Sequence, residues 1–234
     1  MRHFGRALAA AFLLLVACRQ ATPAKAPDTS GPELFLLTPL PILWSEGFGL
    51  DQPGSSALKA LEREYRVKPV DLPSQLPERG LLLAVQPRAL PAEELVGLDA
   101  WVRRGGRLLL LADPVLEWPS KLALGDARRP PMAFPDTGLL RHWGLRLDAP
   151  DERGPKQLTL GGITVLTGSP GNLVRLGGNC SVADRGLVAR CKLGEGMATI
   201  IADADLLNLD AGGLDGPTDG NFPALLSQLA SLSG

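Results

Sequence analysis

The chain has 234 residues, and its 24 lysines and arginines against 25 aspartates and glutamates leave a net charge of −1. A balance this near neutral provides no electrostatic footprint for nucleic acid or an anionic lipid surface, which excludes nucleic-acid binding as a function class. Three cysteines and two histidines also leave little material for a zinc site, which favours several Cys or His ligands.

In chain order, Met1-Arg2-His3-Phe4-Gly5-Arg6 is a short basic start, followed by an apolar run from Ala7 to Val16 that ends in Leu15-Val16-Ala17-Cys18. A basic beginning, an apolar stretch of about 7–15 residues and a small residue at the cleavage point mark a secretory signal, whereas a spanning helix needs about 20 apolar residues. The ending Leu-Val-Ala-Cys resembles the lipobox of bacterial lipoproteins. That resemblance implies removal of residues 1–17, acylation of Cys18, and a chain held by its lipid at the periplasmic face of the cell envelope. The same residues also read as an ordinary signal peptide with an incidental cysteine. Several acyl chains would anchor stably, since each buried CH₂ contributes about 0.8 kcal/mol and one chain alone is marginal. Arg19 stands where an aspartate retains enterobacterial lipoproteins in the inner membrane, which favours the outer one. The Pro-, Ser- and Ala-rich run up to Pro32 reads as a tether spanning 18–32, leaving 33–234 as one domain with a sizeable core.

Glu33 to Thr38 is a short apolar run stopped by Pro39, as expected of a buried strand. Ser55 to Arg66 spaces Leu58, Leu61 and Tyr65 on one helical face, with Ser55 or Ser56 as N-cap. Val67 to Leu72 reads as a strand that Pro69 confines to a sheet edge. Gly80 to Gln86 is continuously apolar up to Val85, suiting a strand covered on both faces. Pro91 to Arg104 predicts a helix with acids in its first turn, arginines in its last, and Gly105-Gly106 beyond. Leu95, Leu98, Trp101 and Val102 are its buried stripe. Arg107 to Asp113 is the clearest central strand. After a long Pro- and Arg-containing loop from Trp118 to Pro135 comes a short helix, Asp136 to Trp143. Brief alternating runs separated by Gly-Gly, Ser-Pro-Gly and Asp-Arg-Gly predict a small antiparallel hairpin insertion over 157–192. Met197 to Asp203 returns to a central strand, and Phe222 to Leu232 closes the chain as a helix. Strands alternating with amphipathic helices imply an α/β fold with a mainly parallel sheet sandwiched by helices.

Three segments together resemble the auxiliary proteins of gliding-motility-type ABC transporters. Leu90 to Pro114 is similar to their helix, Gly-Gly, strand signature. Leu139 to Leu145, with Trp143-Gly144-Leu145, resembles an intermediate element, and Gly194 to Asn208 a later strand with a Gly-x-Gly entry and an Asp-x-Asp exit. The resemblance implies a class I glutamine-amidotransferase-like sandwich related to flavodoxin-like sheets, and a role as an auxiliary component of an ABC-type envelope system. The chain departs from transporter-linked members in lacking a spanning helix.

In that fold an amidotransferase sets a cysteine nucleophile at a tight turn after a central strand, with a histidine to activate it. Here the turn reads Gln86-Pro87-Arg88, without thiol or hydroxyl. His142 is the one histidine beyond the leader and reads as a surface or satisfied residue. Cys180 and Cys191 most simply pair as a disulfide in an oxidising compartment; a redox or metal pair is the sharper reading, without a CxxC to support it. Neither a metal nor a cofactor is expected, and no catalytic residue is assigned. The candidate ligand- or partner-binding residues are Trp44, Phe48, Gln86, Asp113, Asp203 and Asp205, because ligands of open α/β sheets bind outside the carboxyl ends of strands. The aspartates could equally cap their own loops, and Trp44 and Phe48 could fold back on the core. The leading expectation is a non-catalytic, lipid-anchored envelope protein binding a partner protein or glycan. The alternative is a carbohydrate-active or metal-dependent hydrolase using the strand-end aspartates.

Overall fold

A computed structural model describes residues 31–44, 54–209 and 218–233. The leader, Cys18, most of the tether and Phe48 lie outside the described residues. Strand β1 (Glu33–Leu37), helix α1 (Ser56–Glu64) and strand β2 (Arg66–Pro69) open the fold, followed by β3 (Leu81–Val85), α2 (Ala92–Arg103) and β4 (Arg107–Leu111). A short helix α3 (Leu139–His142) leads into β5 (Leu145–Asp148), β6 (Pro155–Leu160), β7 (Ile163–Gly168) and β8 (Asn172–Arg175). The last elements are β9 (Cys180–Ala183), β10 (Val188–Leu193), β11 (Gly196–Ile201) and α4 (Asn221–Ser233).

The central sheet has seven strands in the order β2-β1-β3-β4-β11-β10-β9. Its first five run parallel, as uninterrupted apolar strands require when both faces are covered. Pro69 lies at the end of β2, the edge strand, where its missing N–H costs no ladder bond. Alternate side chains of the central strands serve two cores. Leu34, Leu36, Leu83, Val85, Leu109, Leu111 and Ile201 meet α1 and α4, while Phe35, Leu82, Leu108, Leu110 and Ile200 meet α2, α3 and Trp143.

Local chemistry sets the helix limits. Ser55 caps α1 by accepting the Leu58 N–H on its hydroxyl at 3.0 Å. On α2, Leu98, Trp101 and Val102 are buried and Leu95 is partly so. The helix stops because Gly105 takes φ +110°, a left-handed turn that bends the chain into β4.

The segment 157–192 departs from a self-contained insertion. Its strands are antiparallel, and β6 with β7 and β5 with β8 do form small separate ladders. The strands β9 and β10, however, continue the central sheet, with β10 paired to β11 from Val188↔Ile201 to Leu193↔Gly196. The tight Gly194-Glu195 connection makes β10 and β11 a hairpin, and a hairpin whose second strand is central must carry its first into the same sheet. Strand β5 was not anticipated; its four residues follow directly on the Trp143-Gly144 turn.

Candidate functional site

The carboxyl ends of β1, β3, β4 and β11 open on one side of the sheet. There the sequence-singled residues Gln86, Asp113, Asp203 and Asp205 are brought together, all fully or almost fully buried.

Gln86 follows β3 with φ +47°, a left-handed position that a glutamine adopts only when its surroundings hold it. Its side-chain amide works as a piece of main chain. Oε1 accepts the Asp113 N–H at 2.9 Å, while Nε2 donates to the Asp113 carbonyl at 3.0 Å and to the Pro131 carbonyl at 3.2 Å. The strained residue that follows β3 thus carries a side chain bound on both its polar ends.

Asp113 leaves β4 and organises two loops: Oδ1 accepts the Val115 N–H at 2.8 Å and Oδ2 the Ala204 N–H at 3.0 Å. Asp203 accepts the Leu206 N–H at 2.7 Å, and Asp205 accepts the Glu117 N–H at 2.8 Å. Burial pushes the Asp113 carboxyl up to about 6 against the pull of its backbone donors. Burial, then the neighbouring Asp113 charge, pushes Asp205 up to about 8. Burial holds Asp203 well above the usual carboxylate range, with Asp113 and Asp205 adding to it. Among the described residues, Asp203 Oδ2 and Asp205 Oδ1 have no hydrogen-bond partner, which suits protonated acids enclosed by protein.

Two participants escaped sequence reasoning. Glu117 presents its N–H to Asp205, and its carboxylate accepts the Ser169 hydroxyl; Ser169 in turn accepts the Gly154 N–H at 2.8 Å. Ser169, with φ +44°, directly follows β7. Neither carried a signal, since their contacts join segments 88 and 52 residues apart. Among the described residues no three His, Cys, Asp or Glu side chains are grouped to hold a metal ion.

Other residues named in the sequence lie outside this buried group. Trp44, in the turn after β1, is 79% exposed and thus not folded onto the core. Trp118 is partly buried against the α1–α4 core. His142 stands apart from the strand ends, beside α2, with Nε2 3.6 Å from Asp99 Oδ2 and 3.4 Å from the Arg103 guanidinium. Asp99 also accepts the Trp143 indole N–H at 2.7 Å, which fixes α3 on α2. Cys180 and Cys191 form a disulfide across β9 and β10, where they stand directly opposite each other.

Among the described residues no helix is long and apolar enough to cross a membrane. No curated protein matches the chain by sequence. Among solved structures, the chain is similar to an exo-β-1,4-mannosidase from Opitutaceae bacterium strain TAV5 at 17% identity and a TM-score of 0.46, covering 87% of this chain and 35% of that one. A β-galactosidase from Bacillus circulans sp. alkalophilus gives 14% identity, a TM-score of 0.46, and coverage of 87% and 31%. The cytoplasmic protein STM3548 from Salmonella typhimurium gives 11% identity and a TM-score of 0.48, with coverage of 86% and 98%. The chain thus spans about a third of the two glycosidases, and likenesses this distant assign no activity. Residues 29–151, just over half of the sequence, match the auxiliary-component family described as an ABC-type uncharacterized transport system, and the chain belongs to that family.

Proposed function

We propose that the protein is a non-catalytic accessory of an ABC-type envelope system, anchored through a lipid on Cys18 and binding a partner protein with its strand-end face. The observation that carries the reading is the filled elbow. Gln86 occupies the strained position after β3, and its amide is engaged by the Asp113 and Pro131 backbone. Membership of the transport-associated family supplies the partner class. The finer fold assignment belongs to the same proposal: the parallel order β2-β1-β3-β4-β11 follows the flavodoxin-like sequence of strands, as a class I amidotransferase-like domain would.

Burial of Asp113, Asp203 and Asp205, each accepting a backbone N–H, supports a loop-organising role and gives the hydrolase alternative no open carboxylate pair. Trp44 is an exposed apolar residue in the turn after the carboxyl end of β1, and Trp is favoured as an anchor at protein interfaces. Crosslinking in intact envelopes followed by pull-down tests the reading. A transporter subunit is expected in stoichiometric yield from the native chain and at a small fraction of that yield from Trp44→Ala. Equal recovery from both chains would remove this face from the proposal.

A further inference from the structure

The hairpin β6–β7 has two outer edges of unlike character. Residues along an antiparallel pair alternate between those bonded across the ladder and those whose N–H and C=O point outward. Leu166 of β7 points outward: its N–H donates to Asn221 Oδ1 at 2.8 Å, and its carbonyl accepts from Asn221 Nδ2 at 2.8 Å. Asn221 is itself fully buried, so this edge is closed.

Gln157 of β6 stands opposite Leu166, and Thr159 stands two residues on. By the same alternation their backbone groups face away from β7. The next position on that outer line, Gly161, donates its N–H to Asp184 Oδ2 at 2.8 Å. Outside the β6–β7 pair, the backbone groups of Gln157 and Thr159 have no partner among the described residues, and both residues are exposed. Natural edges are commonly guarded by charge, proline or a bulge. Pro155 guards only the first position of β6, and Lys156 shares the inward-facing line of Leu158 and Leu160.

A cleft of about 350 Å³ runs beside the open edge, lined by Gln157, Leu158, Thr159, Thr164, Asp184 and Arg185. Its far wall is the turn between β9 and β10, where Asp184 and Arg185 take φ +51° and +56° in succession. Two neighbouring non-glycine residues in the left-handed region are uncommon. The Gly161 N–H holds the Asp184 carboxylate. The Arg185 guanidinium is exposed and has no ion pair or hydrogen bond among the described residues.

We infer that β6 accepts a third strand: an extended, carboxylate-bearing peptide segment of a partner protein, paired through its main chain with Gln157 and Thr159 and held by its acid on Arg185. Main-chain ladder bonds supply affinity in this mode of recognition, and side-chain contacts supply selectivity. The unpaired guanidinium selects an acidic partner over a second copy, whose matching edge brings the same cation. The inference is independent of what the Trp44 face binds.

Fluorescence polarisation with the full-length chain tests it, the probe being a fluorescein-labelled hexapeptide of alternating valine and glutamate. Arg185→Asn, which retains a residue tolerant of left-handed backbone, is expected to weaken binding about fivefold. Thr159→Pro, which deletes an outward N–H, is expected to weaken it about tenfold or more with an unchanged circular dichroism spectrum. N-methylation of alternate peptide amides is expected to abolish binding in one register and spare it in the other. Absence of binding at millimolar protein, equal binding of the lysine counterpart, or equal effects of both methylation registers would each overturn the inference. A dimer in sedimentation that Thr159→Pro dissolves would overturn it in favour of self-pairing.

Discussion

Gln86 shows how one side chain can replace a functional group by structure. A buried glutamine that pairs with both the N–H and the carbonyl of one neighbouring residue leaves none of its own polar atoms unsatisfied, which is the condition for burying it at all. The aspartates around it do not meet that condition, since Asp203 Oδ2 and Asp205 Oδ1 have no partner among the described residues; burial instead raises their affinity for a proton. Asp205, raised to about 8, binds a proton in the folded chain across a range in which an unfolded aspartate, titrating near 4, has lost it. A folded-state value above the unfolded one gives stability that is complete below about pH 4 and is lost as pH rises towards 8. Asp113, raised to about 6, adds to the same fall. Denaturant midpoints measured from pH 4 to pH 8 are therefore expected to decline, and Asp205→Asn, whose amide oxygen can still accept the Glu117 N–H, is expected to flatten the curve and raise the midpoint at pH 8. A native midpoint that increases over this interval would contradict protonated burial.

At the level of elements, the sequence was most legible where one segment explains itself. The α2–β4 unit reads correctly because its stripe, its charged ends and its Gly105-Gly106 stop are all local. The same holds for Pro69 at an edge and for the Cys180–Cys191 pairing. The sheet assignment of β9 and β10 was not legible, because it depends on β11, whose partners β4 and β10 come from different parts of the chain. The Gly-x-Gly entry to β11 has a tertiary cause of the same kind: a Cβ on Gly196 would stand 1.9 Å from the Val102 carbonyl oxygen, so the second glycine lets the strand cross the end of α2. Strand β9 is an edge with one ladder partner, β10, and the disulfide ties it there across a separation of 11 residues. Closing a loop of that size contributes about 2–3 kcal/mol. Reduction, or paired Cys180→Ala and Cys191→Ala, is expected to lower stability by about that amount in urea titration and to remove hydrogen-exchange protection from β9 while β3 and β4 keep theirs. Unchanged exchange in β9 would show that its ladder alone secures it.

For the whole molecule, the central questions are attachment and direction. The lipid on Cys18 is a proposal that fractionation can decide. Cys18→Ser is expected to move the chain from the membrane pellet to the soluble periplasmic fraction and to abolish labelling by radioactive palmitate; membrane retention without label would assign attachment to a protein contact. The auxiliary-family resemblance was legible in part because two of its three segments, Leu90–Pro114 and Leu139–Leu145, fall within the matched residues 29–151. The site itself was half legible. Strand-end acids are recognisable by position, but whether they face solvent is decided by loops that sequence periodicity does not describe. Glu117 and Ser169 arrive in just this way.

The direction of β1 carries one more consequence. It enters the sheet at Glu33, pinned there by ion pairs to Arg66 and Lys68, and delivers Trp44 beyond its other end, about 17 Å along a strand of this length. A body docked on the tryptophan therefore meets the sheet at the end opposite to the chain's entry, and leaves Glu33 with its two cations uncovered.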